Sequence, residues 1–167
     1  ATADYWRRKL AGPLPALRLR SHRPGAPGLG RAAIHTLPIT GSLHEGVRQL
    51  CRREGVTLFM IMLAVYEAVL SRASGSEDML IAFPTANRGR KEIAPLIGMI
   101  ASFVVLRADV SGDPTFTELL ARVRSDCIDA LDHQDVPLDV MSDCLGVGRR
   151  ELLRDSPVRV GVSLLDA

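Results

Sequence analysis

No two cysteines of this sequence stand close together. Cys51, Cys127 and Cys144 are odd in number, far apart and outside any CxxC or Cys/His ligand spacing. That usage excludes a disulfide scaffold and a zinc site, and it suits a reducing cytoplasm. Charge of one sign is missing too. Twenty-one basic residues face nineteen acids for a formal charge of +2, a balance that points to neither nucleic acid nor a membrane surface as partner. The longest apolar run, "TLFMIMLAVYEAVL", contains Glu67 and is too short to cross a bilayer. "ATADYWRRKLAGP" at the start has no basic segment leading into an apolar one, so no signal peptide or transmembrane span is expected. GxSxG, the P-loop, a GxGxxG after a strand and HExxH are all absent, which removes the commonest signatures of hydrolases, nucleotide enzymes and metalloproteases. Of the four histidines, His22 falls in a loop, His35 in a strand and His44 in the first turn of a helix, and none neighbours another. No metal site is expected.

What is present is one domain's worth of chain, 167 residues at 47% apolar content, with helical and strand patterns mixed and no repeat. Tyr5, Trp6 and Leu10 share a helical face over Asp4 to Ala11, and Gly12, Pro13 and Pro15 end it. "RSHRPGAPGLG", residues 20–30, reads as an extended surface loop and "RAAIHTLPI" as a strand. Ser42 is the expected N-cap of a helix to about Arg53, with Leu43, Val47, Leu50 and Cys51 at helical spacing and Gly55 as its stop. Thr57 caps a second helix, Leu58 to about Arg72, whose circumference is so apolar that burial on most sides is expected. "DMLIAFP" and "ASFVVLR" are near-continuously apolar, as in strands covered on both faces, and should share one central sheet. Thr115 should cap the most regular helix, to about Asp132, with Phe116, Leu119, Leu120, Val123, Cys127, Ile128 and Leu131 inward. A short helix over Asp139 to Leu145 and a strand in "VRVGVSLLDA" complete an α/β or α+β order.

Gly89 and Gly98 flank Arg88, Arg90 and Lys91, a basic segment that suits a phosphate or, equally, a solvated turn. Five stretches, taken in order, say more: "YWRRKLAG", "GVTLFMIMLAVYEAVLSRASGSEDMLIAFPTANR", "IGMIASFVVLRADVSGDPTFTELLARVR", "HQDVP" and "DSPVRVGVSLLD". Together they resemble, in order and spacing, the condensation domains of nonribosomal peptide synthetases, over essentially the whole chain.

The resemblance implies a chloramphenicol acetyltransferase-like architecture of two α/β lobes around a tunnel, here with a mixed central sheet and packed helices. It implies a reaction in which the amine of an acceptor attacks the thioester of a donor. Both substrates ride on the phosphopantetheine of carrier proteins, and no cofactor is bound directly. The family's HHxxxDG histidine motif does not occur among these 167 residues. The chain, residues 1–167, is therefore expected to be the C-terminal lobe, incomplete and inactive alone, with the N-terminal lobe, carrier proteins and adjacent synthetase domains as partners. His133, Gln134 and Asp135 match the family's HQD segment, a structural motif and not the catalytic one. For His133 the residues themselves suggest a helix C-terminus favoured by the dipole, and for Asp135 an acceptor of backbone N–H bonds. Leu138 and Asp139 stand where the family commonly has Phe-Glu. Asn87 and Arg88 match a pair at the lobe interface, where the arginine would bond the aspartate of the other lobe's HHxxxDG loop; a solvent-facing turn arginine is the plainer alternative. Ser102 and Phe103 replace the family's customary Asn and Thr beside the tunnel, and Phe103 would narrow a pocket or move into the core. "RELLRDSPVRV" fits the family's last motif loosely, with either Arg150 or Arg154 as its arginine. Two alternatives stay open: a non-catalytic relative that recruits a carrier protein or tailoring enzyme, and a fragment of an acyl-CoA-dependent acyltransferase.

Overall fold

A computed structural model describes residues 2–19, 33–88, 92–93, 95–98, 100–148 and 156–165. Among the described residues, helices and strands follow the order α1 (Thr2–Lys9), α2 (Gly41–Glu54), α3 (Leu58–Ser74), β1 (Asp78–Thr85), β2 (Ser102–Asp109), α4 (Phe116–Asp132), α5 (Leu138–Cys144) and β3 (Val160–Gly161). The sheet runs β2-β1-β3. β1 is antiparallel to β2, from Asp78 opposite Asp109 to Thr85 opposite Ser102, and parallel to β3. The sheet is therefore mixed, as the family resemblance implied, and it holds both apolar runs side by side.

Local chemistry accounts for several helix ends. The Thr115 hydroxyl accepts from the Glu118 N–H while the Glu118 carboxylate accepts from the Thr115 N–H, a complete capping box that starts α4. Thr57 accepts from the Met60 N–H at the start of α3. Gly55 ends α2 in the left-handed region at φ +62, its N–H bonded to the Cys51 carbonyl. No single helix among the described residues is long and apolar enough to cross a membrane, and α2 and α3 are bent by 104° at their junction.

Strand pleat sorts the sheet's side chains onto two faces. Met79, Ile81 and Phe83 with Val104, Leu106 and Ala108 share one face and are buried. Phe83 meets Phe59 of α3 with ring centroids 5.3 Å apart. Leu119, Leu120, Val123, Cys127 and Ala130 form the buried stripe of α4, which packs against β2 and α3. Below α4, Trp6 is wholly buried, and its Nε1 donates to the His133 carbonyl at 2.9 Å.

Several local expectations give way to tertiary context. Residues 33–40 are not in a strand, and Ile34 and Leu37 are exposed; a strand exists only when an edge is there to pair with it. Thr40, not Ser42, precedes α2, and its side chain makes no cap bond. α3 is buried on one side only, because Leu58, Val65 and Val69 are exposed. Phe116, Ile128 and Leu131 flank the α4 stripe and are partly exposed, while Ala130 takes an inner position. Of the terminal run only Val160 and Gly161 are strand among the described residues, paired with Ile81 and Ala82. A Cβ on Gly161 would lie 3.0 Å from the Ala82 carbonyl oxygen, so glycine is what lets β3 approach β1. The pairing then stops at Pro84, which has no N–H to offer on the side where Ala82 accepts from Val162. The loop reading of residues 20–30, His22, Gly89 with Arg90 and Lys91, and the choice between Arg150 and Arg154 lie outside the described residues.

Candidate functional site

The C-terminal end of β1 opens into a cleft of about 570 Å³ between the sheet edge, the first turn of α3, the last turns of α4 and the segment after β3. Phe59, Met60, Phe83, Leu131 and Leu164 make its wall apolar, while Thr85, Asn87, Arg88 and Gln134 bring polar groups to it. Strand alternation places Thr85 on the same face as Phe83. Its Oγ1 is buried and has no hydrogen-bond partner among the described residues. A buried, unsatisfied hydroxyl is costly unless something binds it, and here it lies in a cavity wall. Sequence reasoning missed Thr85; the signal that could have found it is a polar residue at an inward strand position.

Asn87 turns the chain out of β1 with φ +49, a left-handed conformation that asparagine tolerates and β-branched residues do not. Arg88 follows, exposed, and curls back to the loop ahead of β2: Nη1 donates to the Leu96 carbonyl at 2.6 Å and approaches that of Ile93 at 3.5 Å, and Nη2 donates to that of Gly98 at 3.1 Å. Asn87→Val should cost about 1–2 kcal/mol through backbone strain, whereas Asn87→Gly should be close to neutral. Denaturant midpoints of the two variants check this.

Ser102 and Phe103 do not join that cavity. Ser102 pairs with Thr85 across the strand ends, and Phe103, opposite Pro84, points to the other face of the sheet. There it lines a second groove of about 550 Å³ with Val105, Leu138, Met141 and Leu145. Phe103 is 60% exposed; it belongs to a pocket wall and not to the core. Phe103→Thr should therefore shift the unfolding free energy by less than about 0.5 kcal/mol, measurable by chemical denaturation.

His133 caps the end of α4. Its Nδ1 lies 2.8 Å from the Asp129 carbonyl, an acceptor, so that nitrogen carries the hydrogen. The ring stacks on Tyr5 at 4.0 Å and 11°. Gln134 Nε2 donates to the Leu131 carbonyl at 3.0 Å. Asp135 is exposed, and no hydrogen bond reaches its carboxylate among the described residues, so the expected backbone N–H bonds to it are not made there. His133 and Gln134 satisfy carbonyls in the last turn of α4, and His133 also docks α1 through Tyr5 and Trp6.

Two buried titratable groups interact between α3 and α4. Burial pushes the Glu67 carboxyl up to about 8, with the Asp126 charge adding to the effect. Burial first, then Glu67 and Asp126, pushes the Cys127 thiol up to about 12. Cys127 lines the cleft, yet as a neutral thiol it is no nucleophile. No cluster of three or more His, Cys, Asp or Glu among the described residues would hold a metal ion. The clefts thus offer shape and hydrogen bonds, and the described residues that line them include no carboxylate and no imidazole.

Comparison with known proteins gives the family and the fold. One linear gramicidin synthase polypeptide of Brevibacillus parabrevis is 44% identical over 146 residues, covering 87% of this chain and 3% of that protein. The X-domain from teicoplanin biosynthesis superposes with a TM-score of 0.81 at 26% identity, covering 96% of this chain and 36% of that one. A four-domain nonribosomal peptide synthetase gives a TM-score of 0.82 at 18% identity, over 99% of this chain and 13% of its own length, a likeness of fold. The chain thus spans a few per cent of the synthase and about a third of the X-domain. A family model described as "Condensation domain" matches residues 1–155, nearly the whole chain, and on that match the chain belongs to the condensation-domain family.

Proposed function

We propose that this chain is the C-terminal lobe of a condensation domain that makes amide bonds in a nonribosomal peptide synthetase. The observation that carries this reading is the family match over residues 1–155; the 44% identity to a linear gramicidin synthase supports it. In the proposed reaction the free amine of an acceptor attacks the thioester carbonyl of a donor. The N–C bond forms, the C–S bond breaks, and the amine's proton leaves to balance the phosphopantetheine thiolate released on the donor's carrier protein. The sequence contains no HHxxxDG, so the histidine that would take or orient that proton belongs to the other lobe.

This chain's part is to shape and hold. The apolar wall of Phe59, Met60, Phe83, Leu131 and Leu164 excludes water from an entering substrate, and the unpartnered Thr85 hydroxyl stands ready to bond a polar group on it. Asn87 and Arg88 sit at the mouth, where the other lobe would close. Partners are then the carrier proteins, the N-terminal lobe and adjacent synthetase domains, and the parent protein works in the cytoplasm.

The test is single-turnover transfer between two loaded carrier proteins. The parent protein should form the amide-linked thioester and the isolated 167-residue chain none. Product from the isolated chain would overturn the division of labour between lobes. A parent protein that binds loaded carriers without joining their substrates would favour the second reading, a recruiting domain, for which the solved complex of the teicoplanin X-domain with OxyB is the relevant comparison.

A further inference from the structure

Arg88 is exposed, yet it is not an idle surface cation. Its guanidinium reaches the backbone of the loop before β2 at Leu96, Gly98 and, at longer range, Ile93. Among the described residues, one backbone turn bond lies within that loop, from the Leu96 N–H to the Ile93 carbonyl at 3.1 Å. Leu96 and Ile97 both direct their side chains to solvent and Ile93 is half-buried, so residues 95–98 contribute no buried apolar side chain. Gly98 turns it at φ +149, a conformation that favours glycine. The loop leads on to Ser102 at the start of β2, which faces Thr85 across the ladder. Asn87, in the left-handed region, is what sends Arg88 off the strand axis toward those carbonyls.

We infer that Arg88 is a positioning residue that works through this loop: by gathering the carbonyls of Ile93, Leu96 and Gly98 it fixes the mouth of the cleft at Thr85 and the point where β2 begins. The role needs arginine. Two donor nitrogens held apart in one rigid plane span carbonyls two residues apart, which the single ammonium of lysine does only in part. This is a different role from pairing with an aspartate of the other lobe. It rests, for its catalytic consequence, on the amide-forming reading above.

The experiment uses the full-length parent protein with loaded carriers and combines peptide-resolved hydrogen exchange with transfer kinetics. In Arg88→Ala, exchange over residues 95–103 should quicken at least about tenfold while α3 and α4 keep their protection. The kcat for amide formation should fall roughly tenfold or more, with KM for the carriers nearly unchanged, as expected when orientation and not binding is lost. Arg88→Lys should recover part of both losses, which also guards against a variant that merely fails to fold. Loss of turnover with unaltered exchange over 95–103 would overturn the clamp in favour of direct contact with a partner group. Quickened exchange with unaltered turnover would overturn the positioning role. If the wild-type protein joins no substrates, the amide-forming reading falls, while the exchange comparison still decides whether Arg88 holds the loop.

Discussion

Replacing Trp6 with alanine should lower the unfolding free energy by about 3–5 kcal/mol, among the largest single-residue losses in this chain. Trp6 has no exposed surface, so its removal leaves a cavity that backbone shifts fill only in part. A second loss comes with it. The indole Nε1 satisfies the His133 carbonyl at 2.9 Å, one of the terminal acceptors of α4 with no partner inside the helix. Trp6→Phe keeps most of the apolar contact and lacks the donor, so it should cost about 1–2 kcal/mol beyond the lost volume. His133→Ala should cost less than Trp6→Ala. It removes the stacking on Tyr5 and the Nδ1 bond to Asp129, but the carbonyl that Trp6 uses is backbone and remains. Urea unfolding of the three variants gives the ranking, and a His133→Ala loss as large as that of Trp6→Ala would show that the ring, not the indole, anchors α1.

Glu67 should make stability fall as pH rises. Its side chain is buried on α3, with Asp126 and Cys127 of α4 as its titratable neighbours. Lys9 of α1 holds Asp126 at 2.6 Å and is thus committed to that carboxylate. The folded carboxyl is pushed up from 4.5 to about 8, so between those values the folded state keeps a proton that the unfolded state has released. Stability is full below pH 4.5 and is lost progressively as pH climbs through about 8. The loss is on the order of 3 kcal/mol once relaxation and water entry are allowed for. Cys127 acts in the same direction above its ordinary value of 9.0, since its thiol is held protonated up to about 12. The lowered groups Asp109 and Glu118 contribute above their unfolded values and lose that contribution only on acidification, outside this window. Glu67→Gln keeps the shape and removes the titration. The difference in unfolding free energy between wild type and Glu67→Gln should therefore change steadily from about pH 5 to about pH 9. A difference that stays constant across that range would place the charged carboxylate in the folded protein and sink the argument.

Elements whose causes lie within a few residues were readable in the chain itself. The Thr115 and Thr57 caps, the glycine stop at Gly55 and the apolar runs of β1 and β2 all depend on neighbours in sequence, and they stand where local rules put them. The five ordered stretches likewise carried the family. Tertiary structure alone decided the rest, because its causes lie far along the chain. Residues 33–40 have apolar side chains but no strand, and β3 is two residues long because Pro84 ends its ladder with β1. The pleat sends Phe103 to the face opposite Ser102 and so separates two positions that the sequence set side by side at one tunnel. Glu67 was visible as the lone charge in an apolar run, but only the packing of α4 places Asp126 and Cys127 beside it. Arg88 was visible as a candidate, and its partners were not, since the carbonyls it gathers belong to a loop whose path no periodicity encodes. Sequence determines what each segment prefers; only the meeting of distant segments determines which polar group is buried, which is satisfied and which is left open to a ligand.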